Sequence, residues 1–291
     1  MKQKTIQATL IFAFLSFVIF DFAFSQLDIR IPDSTHTQIL TLKDGSSLVG
    51  RVVEILPAEI RFASDLGVST IPKMKIEKVK EVPLSSMKNG EYLFENPNAT
   101  RLFFGPTART LRQGEGYLSD AYIFFPLGAI GITNNITLAA GFSIFPGIDL
   151  NEQIYYFAPK IGFTSEEKYS LAVGALILKP PISEMSSLGI FYGVGTFGDP
   201  NGSITAGLGF GYVESEIANT PMIMLGGEKR VSRGLSLVTE NWILPGESDA
   251  LLSYGLRFFG ESLSFDFAFI TGTGEGAPFP GIPFINILYK F

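Results

Sequence analysis

The side chains able to do chemistry are few. The chain of 291 residues has one histidine, His36, and no cysteine. Thiolate nucleophiles, disulfides and Cys-ligated metals are excluded, and so is a His-rich metal site. A histidine base tuned near neutral pH is hard to replace in hydrolysis or acyl transfer. His36 reads as an exposed linker residue, so no catalytic residue and no metal ligand is assigned. Gly207-Leu208-Gly209-Phe210-Gly211 mimics a phosphate loop. It lacks the strand-then-helix context and the lysine that such a loop needs. It reads better as glycines on one face of a strand, leaving space inside a narrow lumen. No cofactor is implied.

Three charges stand out: Glu240, Arg257 and Asp266. Asp266 lies in Leu263-Ser264-Phe265-Asp266-Phe267-Ala268-Phe269. Leu and the three Phe share one face; Ser, Asp and Ala share the other. A carboxylate between phenylalanines makes no sense in a soluble core. It does where one face of a strand meets lipid and the other a polar lumen. A short connection over 260–263 sets Arg257 opposite Asp266, both inward, with Phe258 beside Phe265 outside. Glu240, on the preceding strand, is inward as well. Two readings fit: a charged ring that selects permeating solutes, or an ion pair that neutralises charge in a filled interior. Glu228-Lys229-Arg230 with Arg233 reads as a solvated rim at a short turn.

The elements that position these charges follow from composition. The chain is 46% hydrophobic and 17% charged, against roughly 25% charged in soluble domains. Gly (31) and Phe (27) are in excess, and mean hydropathy is +0.28. A disordered chain would be poor in aromatics and rich in charge. A helical membrane protein would need apolar runs of about 18 residues, and none exists after residue 25. The net charge of −6 opposes nucleic-acid binding, which needs a basic face.

Residues 1–25 read as a signal peptide. Lys2 and Lys4 precede an apolar stretch from Ala8 to Phe20, and Ala23-Phe24-Ser25 offers a cleavage site. Residues 26–36 read as a linker. Residues 37–88 hold eight Lys/Arg and six Asp/Glu, whereas residues 89–291 hold 11 and 19. That shift marks a boundary near 83–90. Residues 37–83 alternate short strands (37–42, 48–56, 59–63, 68–71, 75–82) with turns, and Asp44-Gly45 is a hairpin signal. The pattern Leu42-Lys43-Asp44-Gly45-Ser46-x-Leu48-x-Gly50-Arg51-Val52-Val53 resembles small SH3-like or Sm-like barrels of secreted bacterial proteins. The resemblance implies a closed five-stranded barrel. Many such barrels bind RNA; a secreted one reads as a periplasmic interaction module or a cap.

A linker over 84–99 leads to residues 100–291, where apolar stretches with period-two alternation repeat. Strands are expected at 101–108, 118–132, 136–146, 154–163, 169–179, 187–198, 202–213, 220–230, 234–244, 250–260, 263–271 and 282–291. The connections between them alternate long and short, beginning with a long one at 109–117. Outer-membrane barrels show this alternation, with the short turns periplasmic, and strands of 9–11 residues span a bilayer. Most charges fall in connections (Glu166, Glu167, Lys168, Glu247, Asp249), and aromatics cluster at strand ends as an interfacial girdle. The fold class is all-β: a transmembrane antiparallel barrel of about 12 strands after a small five-stranded barrel.

The last residues are Tyr289-Lys290-Phe291. Tyr289 and Phe291 on one face resemble the signal read by the outer-membrane barrel-assembly machinery. The resemblance implies a porin-like protein of the outer membrane, with lipid and that machinery as partners and its N-terminal domain in the periplasm. Two functions stay open: a narrow passive channel for small solutes, or a non-transporting anchor or assembly factor whose periplasmic domain binds a protein partner. An enzyme is disfavoured, because outer-membrane barrel enzymes rely on a histidine and the barrel has none.

Overall fold

The computed structural model describes residues 29–88, 91–165, 168–180, 187–214, 216–245 and 250–291. The signal peptide over 1–25, part of the 26–36 linker, and Glu166, Glu167, Glu247 and Asp249 lie outside the described residues. Contacts divide the chain into two compact units, the boundary falling after Phe94.

The N-terminal unit is an antiparallel sheet of β1 (His36–Leu42), β2 (Ser47–Ile55), β3 (Glu59–Ser64), β4 (Gly67–Pro72) and β5 (Ile76–Pro83). His36 opens β1 rather than lying in a linker. The β1–β2 turn carries the Asp44-Gly45 signal: Gly45 has φ +84. Asp44 accepts from the Ser46 hydroxyl and N–H, and those bonds hold its carboxyl below the usual range. Leu40, Val52, Ile60, Phe62, Ile71 and Ile76 form the core. The strand order is β4-β3-β2-β1-β5. This corrects the closed small barrel expected from the sequence: the sheet is open. A 3-10 turn over Lys73–Lys75 carries the chain across to pair β5 with β1, which strands β4 and β5 at opposite edges. A two-stranded ladder, β6 (Met87–Lys88) with β7 (Glu91–Tyr92), completes the unit.

The second unit is a closed antiparallel barrel of twelve strands. They are β8 (Gly116–Ala121), β9 (Phe125–Thr133), β10 (Ile136–Phe142), β11 (Tyr155–Ser165), β12 (Tyr169–Lys179), β13 (Leu188–Asp199) and β14 (Gly202–Val213), then β16 (Met222–Ser232), β17 (Leu235–Ile243), β18 (Ala250–Phe259), β19 (Leu263–Gly272) and β20 (Ile282–Lys290). A two-residue strand, β15 (Glu216–Ile217), only extends the β14 ladder. β20 pairs with β8, and Gly116 and Phe291 exchange both backbone hydrogen bonds at the seam. Closure leaves no edge, as a spanning sheet requires. The alternation is visible in β19: Leu263, Phe265 and Phe267 are exposed, while Ser264, Asp266 and Ala268 are buried. Phe163, Phe197, Ile204, Leu225, Phe258 and Ile287 continue the exposed apolar exterior on other strands.

Two strand expectations are corrected, and they cancel in the count. Residues 101–108 are not a strand. The stretch 118–132 is two strands, because the chain reverses at Tyr122 and Ile123, both left-handed (φ 56 and 68). Hairpin turns of that kind normally carry Gly, Asn or Asp, so nothing in the residue types marked it. The expected long first connection at 109–117 is likewise absent. The first connection at the long-loop end is the tight turn 122–124.

The plugged bore as candidate functional site

The residues expected to form the first strand form a plug. From Glu95 the chain enters the barrel at the end of the short turns, climbs the bore, reverses at Leu102–Gly105 and returns. The reversal is closed by Leu102 N–H to Gly105 O (2.8 Å) and a bridge between Arg101 and Pro106. The two arms are joined by Thr107 N–H to Thr100 O (3.0 Å) and Thr107 Oγ1 to Ala99 O (2.7 Å). On the way back, Arg109 donates to the carbonyls of Gly198 and Asp199, and the Thr110 hydroxyl donates to Asn134 O. The chain then enters β8.

An irregular segment in a bore carries backbone groups that no ladder satisfies, and each costs free energy if left unpaired. The inward side chains of the wall satisfy them. Arg257 is completely buried and donates to the carbonyls of Asn98 (3.0 Å) and Leu102. Lys160, also buried, donates from Nζ to Thr100 O (3.0 Å), Thr107 O (3.0 Å) and Arg109 O (2.6 Å). One oxygen of Glu240 accepts the N–H groups of Phe103, Phe104 and Gly105 at 2.8, 3.0 and 2.9 Å. Its other oxygen accepts from the Trp242 indole at 2.7 Å. Thr196 and Thr137 hydroxyls accept from Ala108 and Leu111 N–H, each at 2.9 Å. Gly105 lets the tip pack closely, since a Cβ there would meet the Met224 sulfur and that side chain would have to shift.

The sequence-predicted charges are placed as follows. Arg257 and Asp266 are register partners on β18 and β19, joined from Nε to Oδ1 at 2.7 Å. Asp266 Oδ2 accepts from Asn98 Nδ2 (3.0 Å) and Asn286 Nδ2 (3.1 Å). Glu240 is inward too, but it serves the plug tip rather than the pair. Glu228 corrects the solvated-rim reading. It is nearly buried, takes Arg257 Nη1 at 2.9 Å, and accepts from Asn96 Nδ2 at 2.8 and 2.9 Å. Lys160 and the plug itself were missed. The signal for Lys160 was the one used for Asp266: a charge alternating with apolar neighbours in mid-strand. Tyr289 lies in β20, and Phe291 pairs with Gly116 just beyond it.

The plug separates two hollows. At the short-turn end is a polar one of about 660 Å³ lined by Glu95, Arg112, Glu115, Asn134 and Lys290. At the long-loop end is an apolar one of about 400 Å³. In the N-terminal unit, Asp33, His36 and Glu81 place ligand atoms within 4.8 Å of one another. Asp33 is already engaged by Thr35 and His36, and Glu81 by Arg30.

The fold is a closed twelve-stranded antiparallel β-barrel with an apolar exterior. No family model matches this sequence, and no curated protein matches it. Among solved structures, the chain is similar to the KdgM porin, at 8% identity and a TM-score of 0.43 over 61% of this chain and 96% of that one. It is also similar to the NanC porin (5%, 0.40, 60% and 97%) and to OmpT of Vibrio cholerae (12%, 0.32, 90% and 100%). One KdgM structure is a complex with disordered oligogalacturonate. Likeness of this degree decides nothing about what the present chain carries.

Proposed function

We propose that this chain is an outer-membrane barrel held shut by its own segment 95–115, acting as an anchor that holds the N-terminal unit at the membrane. The carrying observation is where the bore's charges are spent. Arg257, Lys160 and Glu240 point donors and acceptors at plug backbone, which turns these three charges away from a passing solute.

Short turns of such barrels face the periplasm. Both ends of the barrel unit, Glu95 and Phe291, lie at the short-turn end, so the N-terminal unit is tethered on the periplasmic side. Among the described residues its β4 edge has no further strand beside it, and Val68, near the protruding Leu66, is exposed there. An open edge with apolar side chains suits a partner that adds a strand. Tyr289 and Phe291 are the residues offered to the assembly machinery.

A narrow passive channel is the second reading. The hollows at both mouths favour it, since only the plug lies between them. Planar-bilayer recording of the full chain separates the two. A silent membrane with insertion confirmed by heat-modifiable migration supports the anchor, and Lys160→Met should then produce current by loosening the plug arms. Steady stepwise current from the unaltered protein overturns closure and establishes the channel.

A further inference from the structure

The bore changes character at the level of the plug tip. Toward the short turns, the inward positions include Ser170 opposite Thr196 and Ser236 opposite Arg257. Toward the long loops, the same ladders turn inward Leu176 opposite Ile190 and Trp242 opposite Leu251. With Met222 and Met224 of β16, and Phe104 to Pro106 as a floor, they enclose the apolar cavity of about 400 Å³.

Lumen-facing positions of such barrels are ordinarily polar. An apolar hollow open to water is unfavourable until something apolar fills it. Its size falls in the range of small-molecule sites, about 300 to 1,000 Å³. The room comes from β14, where Gly207 and Gly209 face inward. A Cβ at Gly207 would stand 3.4 Å from Met224 Cε, and one at Gly209 would stand 2.8 Å from Ile190 Cγ2. The two methionines supply thioethers that adapt to an irregular guest. The Tyr192 side chain also lines the cavity, and its hydroxyl has no hydrogen-bond partner among the described residues. One polar handle on an apolar wall suits a guest with a single polar end.

We infer that this cavity binds a medium-length, single-chain aliphatic acid or alcohol. The hydrocarbon packs against Leu176, Ile190, the two methionines and Trp242. The end group meets the Tyr192 hydroxyl. The site rests on the plug reading for its floor alone.

Trp242 is the chain's single tryptophan, which makes it the reporter. The full protein in lipid vesicles is titrated with bromodecanoic acid, and separately with brominated phospholipid that reaches only the outer face. Saturable quenching by the acid is expected, with none by the phospholipid. Unbrominated acids should displace the probe about fourfold better for each added methylene. Gly207→Leu fills the hollow and should weaken the acid about tenfold, with heat-modifiable migration kept. Where that variant fails to fold, Met222→Phe fills the same space from the facing wall. Tyr192→Phe should erase the preference for acid over methyl ester. Quenching equal to that by the phospholipid, or unmoved by filling the hollow in a folded barrel, overturns the site. Current through a bilayer with quenching intact overturns closure instead and leaves the site standing.

Discussion

Arg257 faces Asp266 directly across the β18–β19 ladder, with Nε donating to Oδ1 at 2.7 Å and both side chains completely out of solvent. The arginine continues past its partner: Nη1 reaches Glu228 at 2.9 Å, and the plug carbonyls of Asn98 and Leu102 take further donors. One guanidinium therefore joins three strands of the wall, β16, β18 and β19, to the segment they enclose. Planar donors in a fixed fork suit that task, which a lysine ammonium could not perform.

Asp266→Asn keeps the shape and removes the charge. Breaking one partner of a buried pair leaves the other uncompensated and costs about 3–5 kcal/mol. Urea unfolding in vesicles checks this. A change within about 0.5 kcal/mol, the scale of an ordinary surface substitution, would mean that the pair is solvated.

Glu240 distinguishes charge from shape at the plug tip. N–H groups bound to a carboxylate are held about twice as strongly as by a neutral acceptor. Glu240→Gln should keep the tip in place and weaken it by about 1–2 kcal/mol, because an amide oxygen still accepts. Glu240→Ala should free Phe103–Gly105 and release the Trp242 indole. The Gln amide nitrogen cannot accept, so both variants release the Trp242 indole. The discriminating readout is amide hydrogen exchange at Phe103–Gly105, which should stay slow in the Gln variant and become fast in the Ala variant; equal exchange in both would refute the capping role.

At the short-turn mouth, Glu115 lies 3.1 Å from Lys290 and accepts the Arg112 N–H at 3.0 Å. Burial raises its pKa, but the Arg112 N–H and the Lys290 ammonium outweigh burial and hold it below its ordinary 4.5. A depressed carboxylate stabilises the fold above its ordinary value, and that stability is lost as pH falls through the folded value. Barrel stability should drop below about pH 4.5 in part through this group. The Glu115→Gln variant should lose less between pH 7 and about pH 2 in thermal melts; an identical loss counts against the Glu115–Lys290 contact.

Phe291 does two jobs that a single substitution separates. Its backbone closes the seam with Gly116, while its exposed ring packs on the same residue. Phe291→Ala leaves the backbone bonds in place. Refolding into vesicles in vitro should be nearly unchanged, while the folded fraction in cells should fall. Equal losses in both settings would assign the ring to packing rather than to recognition.

Much of this molecule was legible residue by residue. The Leu-Ser-Phe-Asp-Phe-Ala-Phe run of β19 states its inside and outside, and the short connection before it sets Arg257 opposite Asp266. The Asp44-Gly45 turn announced its hairpin. Other features were silent for physical reasons. Tyr122-Ile123 turn in a left-handed conformation without the glycine or asparagine that would betray it. Residues 101–108 are as apolar as a strand, because most of a plug packed in a bore is buried like the inward face of a strand. Glu228 looked like part of a charged rim, since the bore's reach toward the short turns is not a local property.

The sequence alone determined that this chain makes strands with one greasy and one polar face, because alternation is written in neighbouring residues and needs no distant partner. Only the tertiary structure decided what fills the cylinder. Lys160, Glu228, Glu240 and Arg257 come from four strands, and their donors and acceptors converge only once the sheet has closed. Their demand for partners is then met by segment 95–115, through its backbone for Lys160, Glu240 and Arg257 and through the Asn96 side chain for Glu228, a match made across up to about 160 residues that no local pattern encodes.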